Sequence, residues 1–356
     1  MEAVDFTPLA GDDWRVSTPA GQGLDPKLVA ELYHNAAELE TLYGLLVIKN
    51  GYLIAERYSS EGSIDQLAGR QSVTKSYTSS LVGIALDQGC LSSVDQKMME
   101  FFPEFAGQID DPRKEQITIR DMLQMRSGYR NEQLTEQYLN TLFYSGNWNW
   151  LPHIADFPLT ADPGAKWQYS EITYHLLGAI VARACDTDLK SFAQEHLFPQ
   201  IGAELGDWSS DADGYNFGNF EIYVTARDMA KFGLLYLNDG EYDGKQIISA
   251  GWVEDSLQRH SDRVNVSGWI PVLTSRNGYF RHIGYGYGWW ASRAGKHSFN
   301  YAAGHGGNMI VLLDELDMVI VTTADPLYDA PAGAGWEWES AIIEVVGKFI
   351  KSLPTE

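Results

Sequence analysis

Strand-forming text stands at both ends of this chain, and helical text fills the distance between them. Near the N-terminus, Gly44 to Ile48 and Tyr52 to Arg57 are two apolar runs joined by Asn50-Gly51. That dipeptide tolerates the positive φ angles a tight hairpin needs. Near the C-terminus, Gly284 to Ala291, Asn308 to Asp314 and Met318 to Thr323 read as antiparallel strands, with Glu315 to Asp317 as a short connection. Helical spacing marks Asp25 to Leu39, Ser72 to Gln88 with Gly89 as the stop, Thr118 to Met125, Tyr174 to Ala184, Thr225 to Leu237 and Glu337 to Lys351. The pattern predicts an α+β fold, an antiparallel sheet made from both termini and flanked by helices, with an all-α domain inserted. The expected boundaries are 1–90 and 226–356 for the sheet domain and 91–225 for the mostly helical one.

A chain of 356 residues with 44% apolar content can bury a large core as one big domain or two intimate ones. Its formal charge of −22 argues against nucleic acid and against anionic membrane surfaces, both of which need clustered Lys and Arg. No stretch of 18 apolar residues is present, so membrane insertion is not expected. The start, Met1-Glu2-Ala3-Val4-Asp5, lacks the basic and apolar regions of a signal peptide, which predicts a cytoplasmic protein or the mature form of an exported one. Cys90 and Cys185 could pair only if the fold brings them together, and both read as small core or surface residues. Trp148, Trp150, Trp167, Trp208, Trp289 and Trp290 read mostly as core, with some as walls of a concave pocket.

The chemistry begins at Ser72-Val73-Thr74-Lys75, which opens the apolar stretch Tyr77 to Leu86. Three residues apart on a helix, a hydroxyl and an amine can touch through their tips, and the helix N-terminus favours negative charge developing beside them. A serine is inert until a neighbour takes its proton, and a free lysine, titrating at about 10.4, is almost wholly protonated at neutral pH. Lys75 therefore needs burial together with another cation or a phenol. Tyr169, in Trp167-Gln168-Tyr169-Ser170-Glu171, offers that phenol. Farther on, Ala303-Gly304-His305-Gly306-Gly307-Asn308 enters the run Met309 to Leu313 through a glycine turn, where a substrate can approach the backbone closely. Gly284-Tyr285-Gly286-Tyr287-Gly288 is not a nucleotide loop, because strand-like text rather than a helix follows it. The eight histidines are too scattered for a metal cluster.

Taken in chain order, the Ser-x-x-Lys, Tyr169-Ser170-Glu171 and His305-Gly306-Gly307 segments resemble the three signatures of the serine β-lactamase and penicillin-binding-protein superfamily. The Tyr-x-x form and the histidine in the third segment look closer to class C β-lactamases, D-specific peptidases and family VIII carboxylesterases. Thr118 to Leu123, Ser127-Gly128, Leu176-Leu177-Gly178, Thr225 to Ala230 and Gly288-Trp289-Trp290 are similar to that group as well. The resemblance implies a β-lactamase/transpeptidase-like fold with its site in the groove between the domains. It implies Ser72 as the acyl-accepting nucleophile, Lys75 as its base partner and Tyr169 as general acid/base. The backbone N–H groups of Ser72 and Asn308 would form the oxyanion hole. His305, Gly306 and Gly307 would face the substrate, and neither metal nor cofactor is implied.

Glu171 departs from the β-lactamase pattern by placing an acceptor-only carboxylate where an amide donor is usual. It suits a cationic or hydroxylated substrate, or else satisfies the first turn of a helix. The expected activity is a carboxylesterase on small to medium esters. The alternatives are an amidase or peptidase on amine-bearing substrates such as D-amino-acid peptides or amino-acid oligomers, weak β-lactam hydrolysis, and a catalytically silent binding protein.

Overall fold

The computed structural model describes residues 4–131, 149–264, 278–328 and 335–355. Helix α1 (Pro26–Ala36) starts where Asp25 accepts a hydrogen bond from the Lys27 N–H. Strands β1 (Leu42–Lys49) and β2 (Tyr52–Tyr58) follow, with Asn50 and Gly51 both at positive φ (51° and 73°) and Lys49 paired to Tyr52. This is the hairpin the dipeptide predicts. The short strand β3 (Ala68–Gly69) leads into a 3-10 turn, Gln71–Val73, and then into α2 (Thr74–Asp87). The predicted helix over Ser72 to Gln88 therefore begins as a tighter turn at its first residues.

Helices α3 (Ile119–Leu123), α4 (His153–Asp156), α5 (Glu171–Ala184) and α6 (Leu189–His196) fill the middle of the chain. Strand β4 (Tyr223–Val224) pairs with β3, and α7 (Ala226–Leu237) is capped by the Thr225 side chain. A small hairpin, β5 (Glu241–Tyr242) with β6 (Lys245–Gln246), precedes α8 (Ala250–Leu257). The sheet then completes itself with β7 (Arg281–Tyr285), β8 (Trp290–Ala294), β9 (His297–Gly304), β10 (Asn308–Leu313) and β11 (Met318–Ala324), and α9 (Gly335–Ser352) closes the chain.

The seven-stranded sheet has the order β2-β1-β11-β10-β9-β8-β7, antiparallel throughout. The N-terminal hairpin thus lies beside the C-terminal strand β11, with Leu46 opposite Val321. Every residue of β10 and β11 is buried, so helices cover both faces of the sheet centre. Helix α7 rests on β1, β10 and β11, while α1 and α9 pack together. Arg227 of α7 grips buried Glu56 of β2 through Nε at 2.8 Å and Nη2 at 2.7 Å.

One sequence expectation needs correction, and one strand was not expected. Gly284 to Ala291 is not one strand but two, β7 and β8, joined by a turn at Gly286 to Gly288. The stretch His297 to Gly304, which carried no strand expectation, is the full strand β9. Trp148 lies outside the described residues.

Helix α2 is the spine of the molecule, buried on every side from Thr74 to Ala85. Its polar residues are accommodated because tertiary partners meet them: Ser76 Oγ donates to the Gly288 carbonyl at 2.7 Å and Thr78 Oγ1 to that of Gly218 at 2.8 Å. Tyr77 stacks on Phe232 of α7 at 3.9 Å between ring centroids. Cys90 and Cys185, just past the ends of α2 and α5, are free thiols that hydrogen-bond to each other, and the Cys185 thiol is pushed up mainly by burial. Among the described residues no helix is long and apolar enough to cross a membrane.

Candidate active site

Ser72 sits inside the 3-10 turn that opens α2, and it is half-buried. The residue before it, Gln71, has φ +50°, and Glu221, which accepts from Gln71 Nε2 at 3.1 Å, has φ +68°. Left-handed backbone at non-glycine residues costs roughly 1–3 kcal/mol each and persists only where surroundings hold it. Here Thr74 Oγ1 supplies the hold by donating to the Gln71 carbonyl at 2.6 Å and accepting from the Ile222 N–H at 3.2 Å.

One turn along, Lys75 is 2% exposed. Its Nζ donates to Ser72 Oγ at 2.8 Å, to Glu171 Oε2 at 2.7 Å and to the Asn219 carbonyl at 2.9 Å. Donation to three oxygens, one of them a carboxylate, is the bonding pattern of an ammonium. Glu171, 3% exposed at the first turn of α5, also accepts from Asn219 Nδ2 at 3.0 Å. Its carboxylate is thus occupied by Lys75 and Asn219 rather than turned to an open groove. The Tyr169 ring lies 4.8 Å from Lys75 Nζ, within cation–π range, and stacks on Trp290 with centroids 5.8 Å apart.

The glycine turn after β9 meets this group from the sheet side. Gly304 faces Asn308 across the turn, and a Cβ placed on Gly304 would stand 2.3 Å from the Arg70 carbonyl and 3.2 Å from the Ser72 nitrogen. Only a residue without a side chain lets the strand end and the nucleophile turn approach so closely. Gly306 and Gly307 both have positive φ (86° and 100°). Glu339 of α9 fastens this turn by accepting from the Gly306 N–H at 3.0 Å and lying 3.1 Å from His305 Nδ1. Asn308, fully buried, donates through Nδ2 to the His305 carbonyl at 3.0 Å and accepts through Oδ1 from the Ala324 N–H at 3.2 Å.

The three distant segments therefore converge. Ser72, Lys75, Glu171 and Tyr169 form one cluster, and the turn at Gly304 to Asn308 abuts its serine end. An aromatic wall stands beside it: Trp290 packs against Trp167, Tyr169, Tyr285 and Tyr301. Burial pushes the Tyr285 phenol well above its ordinary range. Gly288, with φ +76°, lets the β7–β8 turn pass against the backbone of Lys75. Trp150, Trp208 and Trp289 belong to the core instead. Among the described residues no three His, Cys, Asp or Glu side chains gather as a metal site requires.

Three participants escaped the sequence. Asn219 and Glu339 reach the site through contacts 144 and 34 residues apart in the chain, and neither stands in a motif. Arg70 had a weak signal in its place two residues before Ser72.

Comparison with known proteins places the chain in a family. A family model described as Beta-lactamase matches residues 44–339. A curated relative, the 6-aminohexanoate-dimer hydrolase of Paenarthrobacter ureafaciens, is 25% identical over 275 residues, spanning 74% of this chain and 68% of its own. Among solved structures, a family VIII carboxylesterase superposes with a TM-score of 0.65 at 14% identity, covering 96% of this chain and 100% of its own. An octameric penicillin-binding-protein homologue from Pyrococcus abyssi gives 0.63 at 19% identity, over 86% of this chain and 76% of its own. These two likenesses show the fold, whereas the family model covers most of the chain, including all three signature segments: the chain belongs to the Beta-lactamase family, whose members include esterase- and amidase-type hydrolases.

Proposed function

We propose that the chain is a serine hydrolase, a carboxylesterase on small to medium esters that works through an acyl-enzyme on Ser72. The observation that carries this reading is the 2.8 Å hydrogen bond from Lys75 Nζ to the Oγ of half-buried Ser72, beside Tyr169. In the proposed first step Tyr169 reacts as its phenolate, which the Lys75 ammonium 4.8 Å from the ring centroid favours, and Ser72 Oγ forms a bond to the ester carbonyl carbon as its proton passes to the phenolate oxygen. The carbonyl oxygen becomes an oxyanion between the N–H groups of Ser72 and Asn308. Collapse breaks the bond to the alcohol, which leaves with the proton held by Tyr169. Water then attacks the acyl carbon as it gives a proton to Tyr169; the bond from that carbon to Ser72 Oγ breaks as Tyr169 passes the proton to the serine oxygen, releasing the carboxylic acid and restoring the serine hydroxyl. Glu171 and Asn219 serve as holders of Lys75. Glu339 holds the turn that carries His305, Gly306, Gly307 and Asn308.

A second reading is amide hydrolysis on an amine-bearing amino-acid oligomer. The curated relative's name supports it, while the engagement of Glu171 with Lys75 leaves the substrate amine to some other group. The aromatic wall supports ester acyl groups with apolar bodies. Pre-steady-state kinetics with p-nitrophenyl acetate test the main reading. A burst of one p-nitrophenolate per chain, absent in Ser72→Ala, is expected. A linear time course in the intact protein, with no labelling by a fluorophosphonate, refutes it. Turnover of the 6-aminohexanoate dimer with none of p-nitrophenyl esters would establish the second reading instead.

A further inference from the structure

Arg70 is 1% exposed, and among the described residues its guanidinium bonds to neutral oxygens. Nε donates to the Val224 carbonyl at 2.9 Å, Nη2 to the Gln66 carbonyl at 3.0 Å and Nη1 to Asn308 Oδ1 at 3.5 Å. Among the described residues no carboxylate forms an ion pair with it, in contrast to Arg227, which is buried against Glu56 and Asp13. A buried cation without a counter-charge is costly. Burial pulls the Arg70 guanidinium down to about 10, which still leaves it charged at neutral pH.

Its position gives that charge a use. The Arg70 carbonyl is the atom against which Gly304 packs, its peptide lies two residues before Ser72, and its guanidinium touches the side chain of Asn308. The two N–H groups assigned above to the oxyanion thus belong to residues that Arg70 anchors, one through the chain and one through Oδ1. An unneutralised positive charge in a low-dielectric interior acts over several ångströms, and its field favours negative charge developing at the carbonyl oxygen.

We propose that Arg70 is a positioning residue for acyl transfer, an unpaired buried cation that fixes Asn308 and raises the positive potential at the oxyanion. The proposal rests on the serine-hydrolase reading above.

Arg70→Met, Arg70→Gln and Arg70→Lys separate charge from packing. The readouts are kcat and KM for p-nitrophenyl acetate, the inhibition constant of phenylboronic acid, which forms an anionic tetrahedral adduct on a serine oxygen, and circular dichroism for folding. Loss of the charge should lower kcat and boronate affinity together by about ten- to a hundredfold, with KM within about threefold. Lysine should recover most of both losses although it lacks the planar fork. Folded Met and Gln variants that keep kcat and boronate affinity within threefold of the parent overturn the proposal. So does a lysine variant no better than glutamine, or failure of all three to fold, since each leaves a purely structural role. If the parent itself gives no acyl-enzyme, the hydrolase reading fails. If the parent acylates while the neutral variants match it, only the role of Arg70 fails.

Discussion

Replacing Glu171 by glutamine keeps the shape of the side chain and removes the carboxylate that lies 2.7 Å from Lys75 Nζ, with both side chains within 4% of full burial. At that separation and an effective dielectric near 20, the Coulomb term is about 6 kcal/mol. Desolvation of both ions offsets part of it, and removing one partner of a buried pair costs about 3–5 kcal/mol. Lys75 can escape the penalty by shedding its proton. From the ordinary lysine value near 10.4 this costs about 4.6 kcal/mol at pH 7, which caps the loss at a similar figure. With an unfolding entropy of about 2.1 cal/mol/K per residue over 356 residues, a loss of this size lowers Tm by roughly 4–7 °C. Hydrolysis of p-nitrophenyl acetate should fall as well, because Lys75 loses the acceptor that fixes its direction. The assays are thermal unfolding and steady-state kinetics of Glu171→Gln, Lys75→Met and the double variant, with paired ester substrates that differ only in a free amine. A coupling energy above about 1 kcal/mol and an unchanged preference between the paired esters are expected. An unchanged Tm together with a selective loss of the amine-bearing ester would refute the reasoning and return Glu171 to substrate contact.

Gly304→Ala should cut kcat at least tenfold while the protein stays folded, because the added methyl stands 2.3 Å from the Arg70 carbonyl and must part β9 from the nucleophile turn. Burst kinetics check it, and a normal burst counts against the close approach. His260, stacked on Tyr287 at 4.5 Å, has its pKa lowered below 6.5, chiefly by burial and with smaller contributions from Arg120 and Arg126. The unfolded chain therefore binds the proton first, so stability is full above the unfolded value and declines as pH falls below about 6.5. Urea denaturation at pH 7.5 and 5.5 should show a drop that His260→Phe reduces, and an equal drop in both proteins would remove His260 as its source.

The parts of the fold legible in the sequence are those fixed by neighbours along the chain. Asn50-Gly51 set its hairpin locally, and Asp25, Thr118 and Thr225 each accept a backbone N–H at the helix start the sequence indicates. Ser72 and Lys75 were legible for the same reason, since three residues of helical backbone bring their tips to 2.8 Å. The turn inside Gly284 to Ala291 was hidden because alternating glycine and aromatic residues keep a strand-like period through it. Strand β9 does alternate, with Phe299 and Tyr301 buried and Ser298 exposed, but its short apolar residues are interrupted by polar ones on the outer face. Glu171 was visible as a carboxylate near Tyr169, yet its direction depends on Lys75, 96 residues earlier, and that contact exists only after α2 and α5 pack. Arg70, Asn219 and Glu339 likewise act through contacts that no local pattern encodes.

The most direct test of the central claim is peptide mass mapping of protein quenched during the p-nitrophenyl acetate burst. The expected result is one acetyl group on the peptide that contains Ser72, located on that serine, lost on further incubation and absent from Ser72→Ala. Acetyl found on another residue, or a Ser72→Ala variant that turns the ester over at the parent's rate, would contradict an acyl-enzyme at this site.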